Sequence, residues 1–193
     1  MDRMHRRLAP LVLLSTLALG GCPSNQPAPV VPEPPPAAPA SDEPAGGGDR
    51  PHFSSFQIED NHLVLPGPIV FTTDSLDVQA SASALWFIHD YLEAKDYITL
   101  LRLEGHGDQP GDDATMMTGA EALAVGEWLV MSGIDCKRLL AVAFGNSKPI
   151  ADPSTADGRA QNRRIEVVNA ELRGRAIGGM PADGGGVAAP VCN

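Results

Sequence analysis

The apolar run Leu139 to Phe144 stops at Gly145, and a Pro- and Asp-bearing loop, Asn146-Ser147-Lys148-Pro149-Ile150-Ala151-Asp152, follows it. Asp157-Gly158-Arg159-Ala160-Gln161-Asn162-Arg163-Arg164 then leads into the alternation Ile165-Glu166-Val167. This order predicts a strand, a loop, a short cationic turn and a closing strand. Neighbouring residues of a strand point to opposite faces, so the Arg163 and Arg164 side chains are expected to leave on opposite sides of the sheet. A guanidinium grips a carboxylate in a planar, two-bond geometry, which makes the Asn-Arg-Arg triplet a candidate carboxylate site. The plainer reading has these arginines balancing Asp152, Asp157 and Glu166 on a solvated edge.

Upstream, Leu63-Val64-Leu65 and Ile69-Val70-Phe71, split by Pro66-Gly67-Pro68, read as a broken first strand at a sheet edge. Val78, Ala82, Leu85, Ile88 and Leu92 fall at helical spacing, with Ser75 or Asp77 as the expected cap. Ile98 to Glu104 is apolar on both faces for most of its length, as expected of a central strand covered on both sides or beside helices. A second helix is expected from about Ala114 to Ser132, with Met117, Ala120, Ala124, Trp128 and Met131 along one face and Gly133 ending it. The predicted fold is α/β: strand, helix, strand, helix, strand, short turn, strand, with helices over one face of a four-stranded mixed sheet.

Gly145 to Asp152 followed by Asp157 to Val167 resembles the closing signature of the OmpA-like domain of outer-membrane proteins and peptidoglycan-associated lipoproteins. Gly105-His106-Gly107-Asp108 is similar to that family's Gly-His-Thr-Asp strand end, with Gly107 in place of Thr. The resemblance implies the α/β sandwich. It also implies that Asp108 accepts a hydrogen bond from the diaminopimelate of a peptidoglycan stem peptide and that Arg163 contacts the same ligand, with Gly107 beside them. Without it, Asp108 reads as a turn residue and His106 as a packed strand end. The chain departs from the family at Ala114, where the family has Asn, and at Glu121, where the family has the Arg that holds the ligand carboxylate. The loop before them, Gln109 to Asp113, is about two residues short by the same alignment. Glu121 reverses a charge in the expected site, and a desolvated like-charge pair weakens binding by several kcal/mol.

Residues 1–21 carry Arg3, Arg6 and Arg7 ahead of a largely apolar stretch from Leu8 to Leu19, the pattern of an export signal. The stretch is shorter than the about 20 residues needed to cross a bilayer core of about 30 Å. Leu19-Gly20-Gly21-Cys22 resembles a bacterial lipobox, which implies cleavage before Cys22 and acylation of that cysteine, including a palmitate-type chain. Two or more acyl chains hold firmly, at about 0.8 kcal/mol per buried methylene. Pro23 after the cysteine leans the address to the outer membrane, with the domain in the periplasm.

Cleavage would remove three arginines and Asp2 from the 14 basic and 24 acidic side chains, so the mature chain is more acidic still than the net charge of −10. Nucleic acid is therefore excluded as an expected partner. Residues 22–60 are expected to be the lipidated cysteine and a disordered linker rich in Pro, Ala and Gly. Its stretch from Pro23 to Pro51 would reach about 90 Å if fully polyproline-like. The OmpA-like domain is expected over 61–171 and a Gly/Ala-rich tail over 172–193, mobile apart from Cys192. With Cys22 acylated, Cys136 and Cys192 are left either as a disulfide or as two free thiols.

The chain has no Gly-x-Ser-x-Gly elbow, His-Glu-x-x-His, Cys-x-x-Cys or phosphate loop, so no enzyme, cofactor or metal is implied. The leading expectation is an outer-membrane lipoprotein that binds peptidoglycan non-covalently and tethers it to the membrane. The alternative is an OmpA-like scaffold, its cleft impaired by Glu121, that binds other envelope proteins.

Overall fold

The structure is a computed structural model that describes residues 50–72 and 75–192. The expected export signal, Cys22 and most of the linker lie outside the described residues. Within them the chain runs β1 (Ile58–Glu59), β2 (His62–Leu63), β3 (Phe71–Thr72), β4 (Ser75–Leu76), α1 (Ala82–Ala94), β5 (Ile98–His106) and α2 (Asp112–Met131). It continues through β6 (Leu139–Gly145), α3 (Ala156–Asn162), β7 (Arg164–Leu172), β8 (Arg175–Ala176) and β9 (Val187–Pro190). The fold is α/β, with a mixed sheet in the order β1-β2-β7-β5-β6-β9 and β8 paired to β7. β5 is central, parallel to β6 and antiparallel to β7.

The sheet has seven strands among the described residues rather than four. The additions are β1, β8 and β9, and the first strand is itself changed. Only His62–Leu63 of the broken first strand joins the sheet, pairing with Val168 of β7, while Phe71–Thr72 turns back on Ser75–Leu76 as a separate hairpin. Pro66 and Pro68 lack the N–H groups needed to continue a ladder, so the chain leaves the sheet there. The segment expected to be a mobile tail instead supplies β9, which pairs antiparallel with β6, and a disulfide joins Cys136 to Cys192.

The last part of the expected linker is also ordered onto the domain. Phe53 and Phe56 stack edge-on or tilted against Phe87, at 4.9 and 5.1 Å between ring centroids, and Phe56 also meets Tyr91. The Phe53 amide donates to Asp90 Oδ2 at 3.0 Å. Two aromatic residues within five positions of β1 carry apolar area that offsets the ordering entropy, which the Pro-rich part cannot.

α1 buries Leu85, Ile88 and Leu92 completely, as its spacing predicts, whereas Val78 precedes the helix and is exposed. Asp77 takes the amide of Ala80 in the turn before α1, and Ser75 lies in β4. The last carbonyls of α1 are met by Arg138, whose guanidinium donates to Leu92 O and Lys95 O at 3.1 and 3.0 Å and to Ile98 O.

The buried face of α2 is not the expected Met117-Trp128-Met131 stripe. Ala114, Thr118, Ala122, Val125, Gly126 and Leu129 face inward, while Met117 is 43% exposed and Met131 79%. The helix lies so close to the sheet that a Cβ on Gly105 would collide with the Thr118 carbonyl. Only small side chains fit that contact, and the large methionines turn outward.

One face of the sheet, carrying Leu101, Leu103, Ile165 and Val167, packs with both helices into the core. The opposite face of the same strands carries Arg102, Glu104, His106 and Glu166 by alternation. β5 is covered on both sides, as expected of a central strand, but the covered side chains on this face are charged: the C-terminal segment roofs them, and Arg102 Nη1 donates to Ala182 O at 2.9 Å.

Candidate functional site

The loop between β6 and β7 is built to hold Arg163 and Arg164 at a fixed strand entrance. Gly145 begins it with φ +51°, and a Cβ there would press on Thr115. Buried Asn162 then pins it, its Oδ1 accepting from the amides of Ile150 and Ala151 and its Nδ2 donating to Ala151 O. Thr155 caps α3 by accepting from the Gly158 amide at 2.9 Å, and a Cβ on Gly158 would strike the Asp152 carbonyl. The signature read from the sequence is therefore largely a device for closing this loop.

At the neighbouring end of β5, the Gly107 amide donates to Gly145 O at 2.7 Å, and a Cβ on Gly107 would sit 3.0 Å from Thr118 Cγ2. The strand end is thereby seated against both β6 and α2. Asp108 follows, its carboxylate largely covered. Arg163 Nη1 donates to its Oδ2 at 2.9 Å, while the Arg163 side chain remains 54% exposed. Gln109 Nε2 donates to the same oxygen.

Arg163 also lines a cleft of about 270 Å³ together with Ile69, Val70, Phe71, Glu121, Arg164 and Ile165. Two of the sequence-predicted site residues, Arg163 and Glu121, thus share one hollow. Asp108 joins them through its bond to Arg163, and Gly107 contributes packing. Glu121 borders a second, mainly apolar hollow with Met116, Met117 and Ala120.

Arg164 turns the other way, as the alternation predicts: its Nε donates to Glu166 Oε1 at 2.6 Å and its Nη1 to Asn162 O. It belongs to a charged network on the roofed face that the motif reading missed. Arg102 Nε donates to Glu104 Oε1 at 2.6 Å, and His106 Nε2 lies 3.4 Å from Glu104 Oε2 and 3.6 Å from Glu166 Oε2. Lys148 Nζ is 3.6 Å from Glu104 Oε2 and 3.5 Å from the centre of the Phe144 ring.

Burial alone would lower the His106 pKa, but the flanking carboxylates of Glu104 and Glu166 outweigh it and raise the value above the ordinary imidazole range. Burial pushes Glu104 up, yet His106, Arg102 and Lys148 bring it below its usual value. His106 and Arg164 hold the Glu166 carboxyl down at about 2 against the opposing effect of burial. The signal that could have revealed this network is the period-two recurrence Arg102-x-Glu104-x-His106 and Arg164-x-Glu166.

Residues 70–163 match the model of the OmpA family. The chain is 43% identical over 79 residues to outer membrane porin F of Pseudomonas aeruginosa, covering 39% of this chain and 23% of the porin's length. It is 28% identical over 171 residues to the peptidoglycan-associated lipoprotein of Rhizobium meliloti, covering 87% of this chain and 90% of that protein. The crystal structure of the peptidoglycan-associated lipoprotein from Burkholderia pseudomallei superposes with a TM-score of 0.46 at 26% identity, over 53% of this chain and 86% of that one. The segment that holds Asp108, Glu121 and Arg163 is an OmpA-family domain.

Proposed function

We propose that this chain is an outer-membrane lipoprotein, anchored through acylated Cys22, whose OmpA-family domain grips peptidoglycan in the periplasm. A signal over residues 1–21, a linker up to the ordered residues near Arg50 and a binding domain beyond it make up the leash. The observation that carries the reading is the Asp108–Arg163 pair, at 2.9 Å, with Arg163 also lining the cleft.

An ammonium and a carboxylate on one carbon, as at the free centre of a diaminopimelate stem peptide, offer this pair complementary partners. The ligand ammonium takes the place of Arg163 at Asp108, and the ligand carboxylate takes the place of Asp108 at Arg163. Arg163 is more than half exposed, and the exchange replaces one charge-assisted bond at the covered Asp108 carboxylate with another, so little is lost. The chemistry is recognition alone, and no catalytic step is proposed. The name of the Rhizobium relative, a peptidoglycan-associated lipoprotein matched over most of its length, supports the same ligand.

Glu121 favours a second reading, because it lines the same cleft as Arg163 and would repel a ligand carboxylate. On that reading the domain is a scaffold for other envelope proteins. Co-sedimentation of the purified protein with isolated sacculi separates the two. Sedimentation that Asp108→Ala abolishes supports the tether. A wild-type protein that stays in the supernatant, with a Glu121→Arg variant that sediments, supports the scaffold.

A further inference from the structure

The geometry points to a zinc(II) site on the roofed face of the sheet, with Glu104, His106 and Glu166 as ligands and a water in the fourth position. It is separate in chemistry from the peptidoglycan cleft and does not depend on that assignment.

His106 supplies the first argument. It is 1% exposed, and neither ring nitrogen makes a hydrogen bond. Such a side chain in a protein interior is expected to have a partner. Its Nε2 faces two carboxylate oxygens, Glu104 Oε2 and Glu166 Oε2, at 3.4 and 3.6 Å. These separations are long for N–H···O hydrogen bonds. They match the edges of a tetrahedron around zinc, since metal–ligand bonds of about 2.0–2.2 Å place adjacent donors roughly 3.3–3.6 Å apart. The three donor atoms all lie within 4.8 Å of one another.

The arrangement around the donors supplies the second. Each carboxylate has one oxygen held by a guanidinium at 2.6 Å, Glu104 Oε1 by Arg102 and Glu166 Oε1 by Arg164, which leaves both Oε2 atoms turned toward His106. Outer partners that fix ligand orientation in this way are characteristic of metal sites. His62 stands beside Glu166: its Nδ1 donates to Asp60 O at 3.0 Å, and its Nε2 lies 3.2 Å from Glu166 Oε2. A hollow of about 360 Å³ bordered by His62, Glu104, Lys148 and Glu166 gives an ion a route in.

The local charge opposes the ion and yields the distinguishing test. Arg102, Arg164 and Lys148 already neutralise the two carboxylates, so the half-exposed Lys148 ammonium must swing out to solvent as zinc enters. His106 must give up its proton as it ligates.

Zinc chloride titrated calorimetrically into the chelator-stripped full-length protein is expected to bind one equivalent per chain and to release a proton, seen as buffer-dependent heat. His106→Gln and Glu166→Gln should each weaken binding by about a hundredfold or more, beyond the roughly 10- to 100-fold typical of an outer partner. Lys148→Gln should tighten it. Cobalt(II) in place of zinc should give the intense visible bands of a tetrahedral centre. Should His106→Gln unfold, the partly exposed Glu166→Gln carries the same comparison. No saturable binding by wild type overturns the proposal. So does an affinity that neither glutamine variant changes, which would mean an adventitious surface site only.

Discussion

Arg163 and Asp108 are 55 residues apart in sequence and joined by a 2.9 Å hydrogen bond between Nη1 and Oδ2. The contact unites two strand ends, that of β5 and the entrance of β7, which run antiparallel beside each other. The arginine is more than half exposed, so on the proposed reading it can change partners when ligand binds.

Asp108→Ala and Arg163→Ala should therefore each cost about 1 kcal/mol of stability or less. Both should strongly reduce co-sedimentation with sacculi. Urea midpoints measured beside the sedimentation assay check the separation of the two effects, and a large stability loss in Arg163→Ala would assign the pair a structural role.

Gly105→Ala is expected to destabilise the protein by about 1–3 kcal/mol or more, since the new methyl group meets the Thr118 carbonyl across the β5–α2 contact. The backbone, not a flexible side chain, blocks it. Thermal unfolding of this variant against Gly133→Ala, where nothing lies within 4 Å but φ is +107°, separates steric collision from backbone strain.

Arg138→Ala removes donors from three carbonyls at the α1 terminus and the start of β5. A loss of about 1–3 kcal/mol is expected, because covered carbonyls left without partners bear the desolvation penalty. Denaturant midpoints of Arg138→Ala and Arg138→Lys measure it, and the lysine should recover only part.

Burial works to raise the Asp90 pKa, but the Phe53 amide, the His89 ring and the charges of His52 and Arg50 together bring it below the ordinary carboxylate value. A depressed folded-state pKa means the unfolded chain binds the proton more readily. The stabilisation is thus complete above the unfolded value, near 3.8, and fades as pH falls through the lower folded one. Asp90→Asn should flatten the acid limb of a stability–pH curve measured by urea denaturation below about pH 5. An unchanged limb would remove Asp90 from the account.

The disulfide between Cys136 and Cys192 spans a separation of 56 residues and should contribute about 4 kcal/mol through the chain entropy of the unfolded state. Reduction should lower the melting temperature and speed amide exchange at residues 187–189 of β9 ahead of β5. Uniform protection before and after reduction would contradict this.

The loop signature from Gly145 to Arg164 was legible because each of its odd residues answers a local demand: Asn162 binds loop amides, Thr155 caps α3, and Gly158 avoids a carbonyl. α1 was legible through the full burial of Leu85, Ile88 and Leu92. α2 was not, because hydrophobicity points to Met117 and Met131 whereas the tight approach to Gly105 selects small side chains. β9 was hidden for a similar reason. Val187-Ala188-Ala189-Pro190 has little strand character of its own, and its place is set by the free edge of β6 and the bond at Cys192. The buried charges of β5 could not be placed from the strand alone, since what covers them lies 80 residues further on, at Ala182.

The clasp of Phe53 and Phe56 onto α1 determines how the domain would meet mechanical tension arriving from upstream. A pull applied at Arg50 is resisted first by contacts on α1, those of Arg50 and His52 with Asp90 and of Arg50 with Trp86, and then by the Phe53–Asp90 bond and two rings, rather than by the two-residue strand β1 at the sheet margin. Load entering from that side would therefore meet a latch of rings and ion pairs on α1 before it reached the strand ladder beside the cleft.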